Sequence, residues 1–336
     1  MLWGRLIPKE SDNIKTPISW VGNKTSILPI IYSVFPLGYN RYIEPFGGSG
    51  AVLLGKRMPD KFEVYNDYNK DLVNLFLCIR ERPMALIKEL GFYPLNSRSE
   101  FKLLKAFFER ESFEDKFAAE EAELTKIALP EPSAEEIIEL QKRLISDYDV
   151  RRAAMFLKLI RYSYSSTGTS YACQPFSIYS LFDLIEQVSK RLASVVIENQ
   201  DFETLIKHYD RPDSLFYCDP PYVDTEHFYT AGFNMDDHKR LRNALLDIKG
   251  RFLLSYNDCE EVRKMYKGCD ILGFTRTHSM AQKYDAGKKF HELLIANYDI
   301  LEREKSMPYQ ISFFESGSNE EVFKILKESE IHHGHK

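Results

Sequence analysis

The chain has 336 residues, 44% of them hydrophobic, and carries 50 acidic against 45 basic side chains, for a formal charge of −5. That length buries one large α/β domain with an insertion, or a core with a satellite, without covalent staples, and the overall acidity argues against nucleic acid unless charge is locally segregated. Five scattered cysteines with no Cys-x-x-Cys pair, no run near the ~20 apolar residues of a membrane span and no secretion signal in MLWGRLIPKE exclude a disulfide framework, a zinc site and membrane insertion, and predict a cytoplasmic protein without metal.

In chain order, residues 41–45 (RYIEP) and 62–66 (FEVYN) read as strands, followed by helical runs at 51–56 and 70–80, so two βα units are complete before residue 81. Between the first strand and its helix stands Glu44-Pro45-Phe46-Gly47-Gly48-Ser49-Gly50. Glycines there permit a tight turn and let a ligand lie against the backbone, as in a nucleotide-type cofactor loop; a plain reversal of direction uses the same residues. After the second strand, Asn66-Asp67-Tyr68-Asn69 offers an acid that can bind both ribose hydroxyls of an adenosine, or cap the next helix.

Residues 81–183 are charged and helical in pattern, broken at Pro130, Pro132 and Ser133, with a polar stretch at 163–170; they read as a separate module. Its segment 109–139 holds 11 acidic against three basic residues, a balance of −8, which leaves +3 on the rest of the chain (−5 minus −8).

Strand-like apolar runs resume at 194–198 (SVVIE), 214–218 (SLFYC), 251–256 (RFLLSY), 271–276 and 291–298 (HELLIANY). The pattern predicts an α/β fold, a parallel sheet interrupted by an insertion: a discontinuous domain over 1–80 and 184–306, the module 81–183, and a tail 307–336 whose HHGHK end reads as frayed rather than metal-binding.

Asp219-Pro220-Pro221-Tyr222 follows the run SLFYC, at the carboxyl edge of the predicted sheet, and consecutive prolines end the strand rigidly. The residue types suit a specific problem. An adenine amino nitrogen is a poor nucleophile because its lone pair is delocalised into the ring. Two acceptors, the Asp219 carboxylate and the Pro220 carbonyl, can hold its hydrogens and free that lone pair for a sulfonium methyl. Tyr222 can stack on a base extruded from the duplex. Residues 223–233 (VDTEHFYTAGF) suit a lid or an ordinary surface loop. Residues 238–289 carry 12 Lys or Arg against six Asp or Glu, a basic excess suited to phosphate or to a solvated helical face.

In this order the motifs resemble the Dam-type, or alpha-group, adenine-specific DNA N6-methyltransferases, from about Ile18 to Tyr298 apart from the middle module. The resemblance implies a Rossmann-like S-adenosylmethionine-dependent sheet, mostly parallel with one antiparallel strand, and an inserted helical DNA-recognition domain. Ser19-Trp20-Val21-Gly22-Asn23-Lys24 matches the family's first motif and implies that Trp20 and Lys24 touch the cofactor; by themselves they read as a core aromatic and a surface charge. The cofactor loop carries over as Glu44, Pro45, Phe46, Gly47, Gly48 and Gly50, the ribose ligand as Asp67, and the catalytic tetrad as Asp219, Pro220, Pro221 and Tyr222, with Asp219 also bordering the cofactor. Asn199-Gln200-Asp201-Phe202 resembles the segment that contacts the cofactor's adenine, Asp201 as acceptor and Phe202 as stacking face; a loop cap and a core ring are the alternatives.

Residues 152–161 resemble the family's helix, but the Phe-Asn-Gly that usually follows is replaced by Tyr164-Ser165-Ser166-Thr167-Gly168. Cys173-Gln174-Pro175 inverts the order found in cytosine-carbon methyltransferases, and amino-group methylation needs no thiolate, so Cys173 reads as structural. The implied activity is methyl transfer from S-adenosylmethionine to N6 of a flipped-out adenine in double-stranded DNA, with a cognate restriction endonuclease as a candidate partner. The alternatives are cytosine-N4 methylation and a silent DNA-binding relative.

Overall fold

The computed structural model describes residues 14–92, 97–108, 149–163, 178–223, 232–277 and 289–306, with isolated positions between them. Residues 164–167, Cys173, most of the expected lid at 223–233, all but isolated positions of the acidic stretch, and the tail at 307–336 lie outside the described residues.

A 3-10 turn at Thr25–Ile27 leads into α1 (Leu28–Ser33), β1 (Arg41–Glu44), α2 (Ala51–Leu54), β2 (Phe62–Asn66), α3 (Lys70–Glu81), α4 (Pro83–Phe92) and α5 (Arg98–Phe108). Then come α6 (Val150–Tyr162), α7 (Phe182–Leu192), β3 (Val195–Glu198), α8 (Phe202–Tyr209), β4 (Ser214–Cys218), α9 (Met235–Leu246), β5 (Arg251–Asn257), α10 (Glu260–Met265), β6 (Asp270–Thr277), β7 (Lys289–Ala296) and α11 (Glu302–Lys305). The predicted helix at 51–56 is shorter because Gly55 ends it, its N–H bonding the Ala51 carbonyl at 3.0 Å. The chain divides into two compact units: Met1–Thr25, Gly48–Met58 and Asp67–Asn199 form the first, and Ser26–Gly47, Pro59–Asn66 and Gln200–Lys336 the second.

The second unit holds a sheet of six strands in the order β2-β1-β4-β5-β7-β6. β2, β1, β4 and β5 run parallel, and β7 runs antiparallel to both β5 and β6, so the Rossmann-like expectation of one reversed strand holds. β4 is buried at all five residues, which is why SLFYC is apolar without alternation. Chain order runs outward from β1 to β2 on one side and from β4 to β5 on the other. The sheet's switch point therefore lies between β1 and β4, where open α/β sheets bind ligands outside the carboxyl ends. Register places Ile43 beside Phe216, so the segment after Glu44 and the segment after Cys218 leave the sheet side by side.

The first unit is helical apart from β3. Asn69 caps α3, accepting from the amides of Asp71 and Leu72, and Asp149 caps α6, accepting from the amide of Arg152 at 2.9 Å. The Asn74 side chain ties α3 to that cap, donating to the Asp149 carbonyl at 2.8 Å and accepting from its N–H at 2.6 Å. Arg152 forms an ion pair with Asp71 in the first turn of α3. α6 buries Ala153, Phe156, Leu157 and Ile160, an i, i+3, i+4, i+7 stripe, and α3 and α4 are among its neighbours.

Candidate active site

In the second unit the turn after β1 is braced from several sides. The Tyr42 hydroxyl donates to Glu44 Oε1 at 2.6 Å, and Glu44 is 2% exposed. Burial, and then the Glu44 charge, push the Tyr42 phenol well above its ordinary pKa, so it remains a donor to that carboxylate. Asn66 Nδ2 donates to the carbonyls of Pro45 at 2.8 Å and Gln200 at 3.1 Å, while its Oδ1 accepts from the Gln200 amide at 2.8 Å. One buried side chain thus joins the ends of β1 and β2 to the segment before α8. Gly47 donates to the Asn66 carbonyl at 2.7 Å, and a Cβ there would lie 2.3 Å from the Tyr65 ring, so no larger residue fits.

Phe46 lies 5.4 Å from Phe202 and 6.0 Å from Phe233, an aromatic cluster in which Phe202 is 7% exposed. Asp201 caps α8, its Oδ1 accepting from the Glu203 amide at 3.0 Å and from Arg240 Nη2 at 2.9 Å; the Arg240 guanidinium sits 4.9 Å from the centre of the Phe202 ring. Both alternatives stated for this segment, a loop cap and a core ring, describe its geometry.

At the end of β4, Asp219 is half-buried and Pro220 and Pro221 are buried. The half-buried Tyr222 hydroxyl meets Ser255 Oγ at 3.0 Å and donates to Glu292 Oε2 at 3.4 Å, and its ring lies 5.9 Å from that of Tyr256. Asn257 Nδ2 donates to the Val223 carbonyl at 3.2 Å. Ser255 and Asn257 sit two apart on β5, and Glu292 faces Asn257 across the ladder, so one sheet face holds the segment that ends the tetrad. Burial first, then the Asp219 charge, raises the Cys218 thiol well above its usual pKa, which keeps it from acting as a thiolate.

The first unit gathers Trp20, Lys24, Gly48, Gly50 and Asp67. Gly48 N–H donates to Asp67 Oδ2 at 2.9 Å and Asn69 N–H to Oδ1 at 2.8 Å. Burial raises the Asp67 pKa and these amides oppose the rise. Because Asn69 caps α3, Asp67 is not the helix cap. Gly48 has φ +52°, and a Cβ there would lie 3.2 Å from Trp20 Cδ1. Trp20 is half-buried with its ring 5.9 Å from Phe156. Lys24 is buried, its Nζ donating to the Gly22 carbonyl at 3.1 Å, so its reading as a surface charge does not hold. Gly50 is buried immediately before α2.

Ser255, Glu292 and Arg240 were not singled out by the sequence, and Asn66 was named only as the start of its motif. For Glu292 a signal existed, a carboxylate inside the apolar run HELLIANY.

A sheet with its switch point between a glycine-bearing turn and an Asp-Pro-Pro-Tyr strand end defines a Rossmann-like methyltransferase. The family model for D12 class N6 adenine-specific DNA methyltransferases matches residues 20–285, and the chain belongs to that family. It is similar to the type II methyltransferase M1.LlaDCHI of Lactococcus lactis subsp. cremoris, 26% identical over 87% of this chain and 99% of the relative. Similarity to the type II methyltransferase M.MjaIII of Methanocaldococcus jannaschii is 29% identity over 85% and 99%, and to the DNA adenine methylase of Haemophilus influenzae 26% over 82% and 91%. The chain is an enzyme that methylates adenine in DNA, and cytosine-N4 methylation is not favoured. Among the described residues no helix is long and apolar enough to cross a membrane, and no cluster of His, Cys, Asp and Glu is arranged to hold a metal ion.

Proposed function

We propose that the methyl donor is S-adenosylmethionine, and that its acceptor is an adenine swung out of double-stranded DNA into reach of Asp219, Pro220, Pro221 and Tyr222. The residues fit an adenosyl sulfonium. Asp67 offers a carboxylate preset by two backbone amides, with lone pairs left for ribose hydroxyls. Glu44, Pro45, Gly47, Gly48 and Gly50 are assigned to the cofactor loop, Trp20 and Phe46 offer ring surface, and Lys24 lies in the same stretch as Trp20. Asp201 and Phe202 are assigned to the cofactor's adenine, in addition to the capping and packing already described. When bound, the cofactor supplies an electrophilic methyl group on a sulfonium.

The observation that carries this reading is the rigid end of β4. Two buried prolines without N–H groups follow the half-buried Asp219, while Tyr222 is tied at its hydroxyl to Ser255 and Glu292. The two acceptors take the hydrogens of the amino group and turn its lone pair outward; the proton released on methylation passes to the carboxylate. The Tyr222 ring, fixed at its far end, stacks on the extruded base. The module 81–183 is assigned to DNA recognition, and the relatives' type II names support a restriction endonuclease as partner.

Asp219→Ala is expected to lower turnover by about 10²–10³-fold and to leave the cofactor dissociation constant within about twofold. Single-turnover methylation with tritiated donor, beside calorimetric cofactor binding, checks both; undiminished turnover would overturn the role.

A further inference from the structure

Helix α6 touches the segment that carries Trp20 at two points. The Arg161 guanidinium reaches the Pro17 carbonyl with Nε at 3.1 Å and Nη2 at 2.6 Å, and the Ser19 hydroxyl with Nη1 at 3.3 Å. One turn and a half earlier on the same helix, Phe156 packs 5.9 Å from Trp20. Between the anchored residues, Ile18 is fully buried, so the bend ahead of Trp20 is held by a buried side chain as well as by a guanidinium. The opposite end of α6 is held to α3 through Arg152 and Asp71 and through Asn74 and Asp149. α3 is the helix that follows Asp67.

We infer that Arg161 is a positioning residue for the methyl donor: from α6 it fixes the 17–19 strap, and with it the angle at which Trp20 faces Gly48 and the cofactor. The inference rests on the reading of Trp20 as a cofactor contact. A planar fork suits the task, because two parallel donors on one carbonyl fix direction as well as distance, which a lysine's point charge does not. Burial lowers the Arg161 pKa, yet an arginine remains charged at any physiological pH, so the clamp does not switch off. Because α6 lies in the segment assigned to DNA recognition, the same helix braces the donor's grip from within the module that reads DNA.

Trp20 supplies its own reporter. The chain has two tryptophans, Trp3 and Trp20, and Trp3 lies outside the described residues, so Trp3→Phe leaves one fluorophore. In that background Arg161→Gln is expected to raise the KM for S-adenosylmethionine about tenfold. Turnover at saturating cofactor and the KM for DNA stay within about twofold. Trp20 emission shifts to longer wavelength and becomes easier to quench with acrylamide. Arg161→Lys, which keeps the charge and loses the fork, raises the cofactor KM by an intermediate factor, and it carries the test if the glutamine variant fails to fold. An unchanged cofactor KM in a folded variant, or a rise confined to the KM for DNA, overturns the inference. Trp20→Ala separates the two failures: unchanged donor affinity sinks the assignment of Trp20 itself, whereas weakened affinity beside a normal Arg161 variant sinks only the positioning role.

Discussion

The turn after β2 and the segment after β3 each present an acid just beyond a strand, Asp67 and Asp201, ahead of a helix, and the two acids are used differently. Asp67 stands three residues before α3, and Asn69 takes the cap. Its carboxylate is left to fold back on the amides of Gly48 and Asn69. Asp201 stands immediately before α8 and must cap it; it also pairs with Arg240. The difference teaches that distance to the helix start, rather than the presence of an acid, decides whether a carboxylate caps the helix or turns back onto the loop amides, and the proposed ligand role falls on the acid that does not cap.

Three substitutions can break or sharpen this contrast. Asp67→Ala should weaken S-adenosylmethionine binding by about 10–100-fold, the loss of a preset charged acceptor; calorimetry checks it, and an unchanged dissociation constant would remove Asp67 from the site. Asp201→Ala should act chiefly on stability, costing about 1 kcal/mol for the lost cap, with less effect on the cofactor than Asp67→Ala. Denaturant melts beside the same calorimetry decide this, and equal losses of affinity would erase the distinction. Smallest is Arg240→Gln: its partners Asp201, Glu203 and Asp237 lie at the surface, where such pairs contribute roughly 0–1 kcal/mol. A fall in stability larger than that of Asp201→Ala would mean the network, and not the cap, holds this segment.

Much of the fold and of the site was legible because it is local in the chain. The buried run SLFYC, the glycine turn after RYIE and the two prolines of the tetrad each state their backbone geometry in consecutive residues. The burial of Lys24, the double duty of Asp201, and the anchoring of Tyr222 by Ser255 and Glu292, 33 and 70 residues away, were not legible, since each depends on partners distant in sequence. Arg161 stood only as the last residue of the run 152–161; the folded chain alone brings it to Pro17, 144 residues before it.

By itself, then, the sequence determined the α/β kind of sheet and the ends of β2 and β4, because burial period and turn chemistry act over a few neighbouring positions, whereas the last run, read as 291–298, is a strand over Lys289–Ala296. Tertiary structure alone decided which carboxylate pairs with an arginine, which lysine is hidden and which side chains hold the tetrad's tyrosine and the tryptophan strap. A hydrogen bond requires two groups to arrive within about 3 Å of each other, and for residues far apart in the chain that meeting is settled by the packing of whole elements.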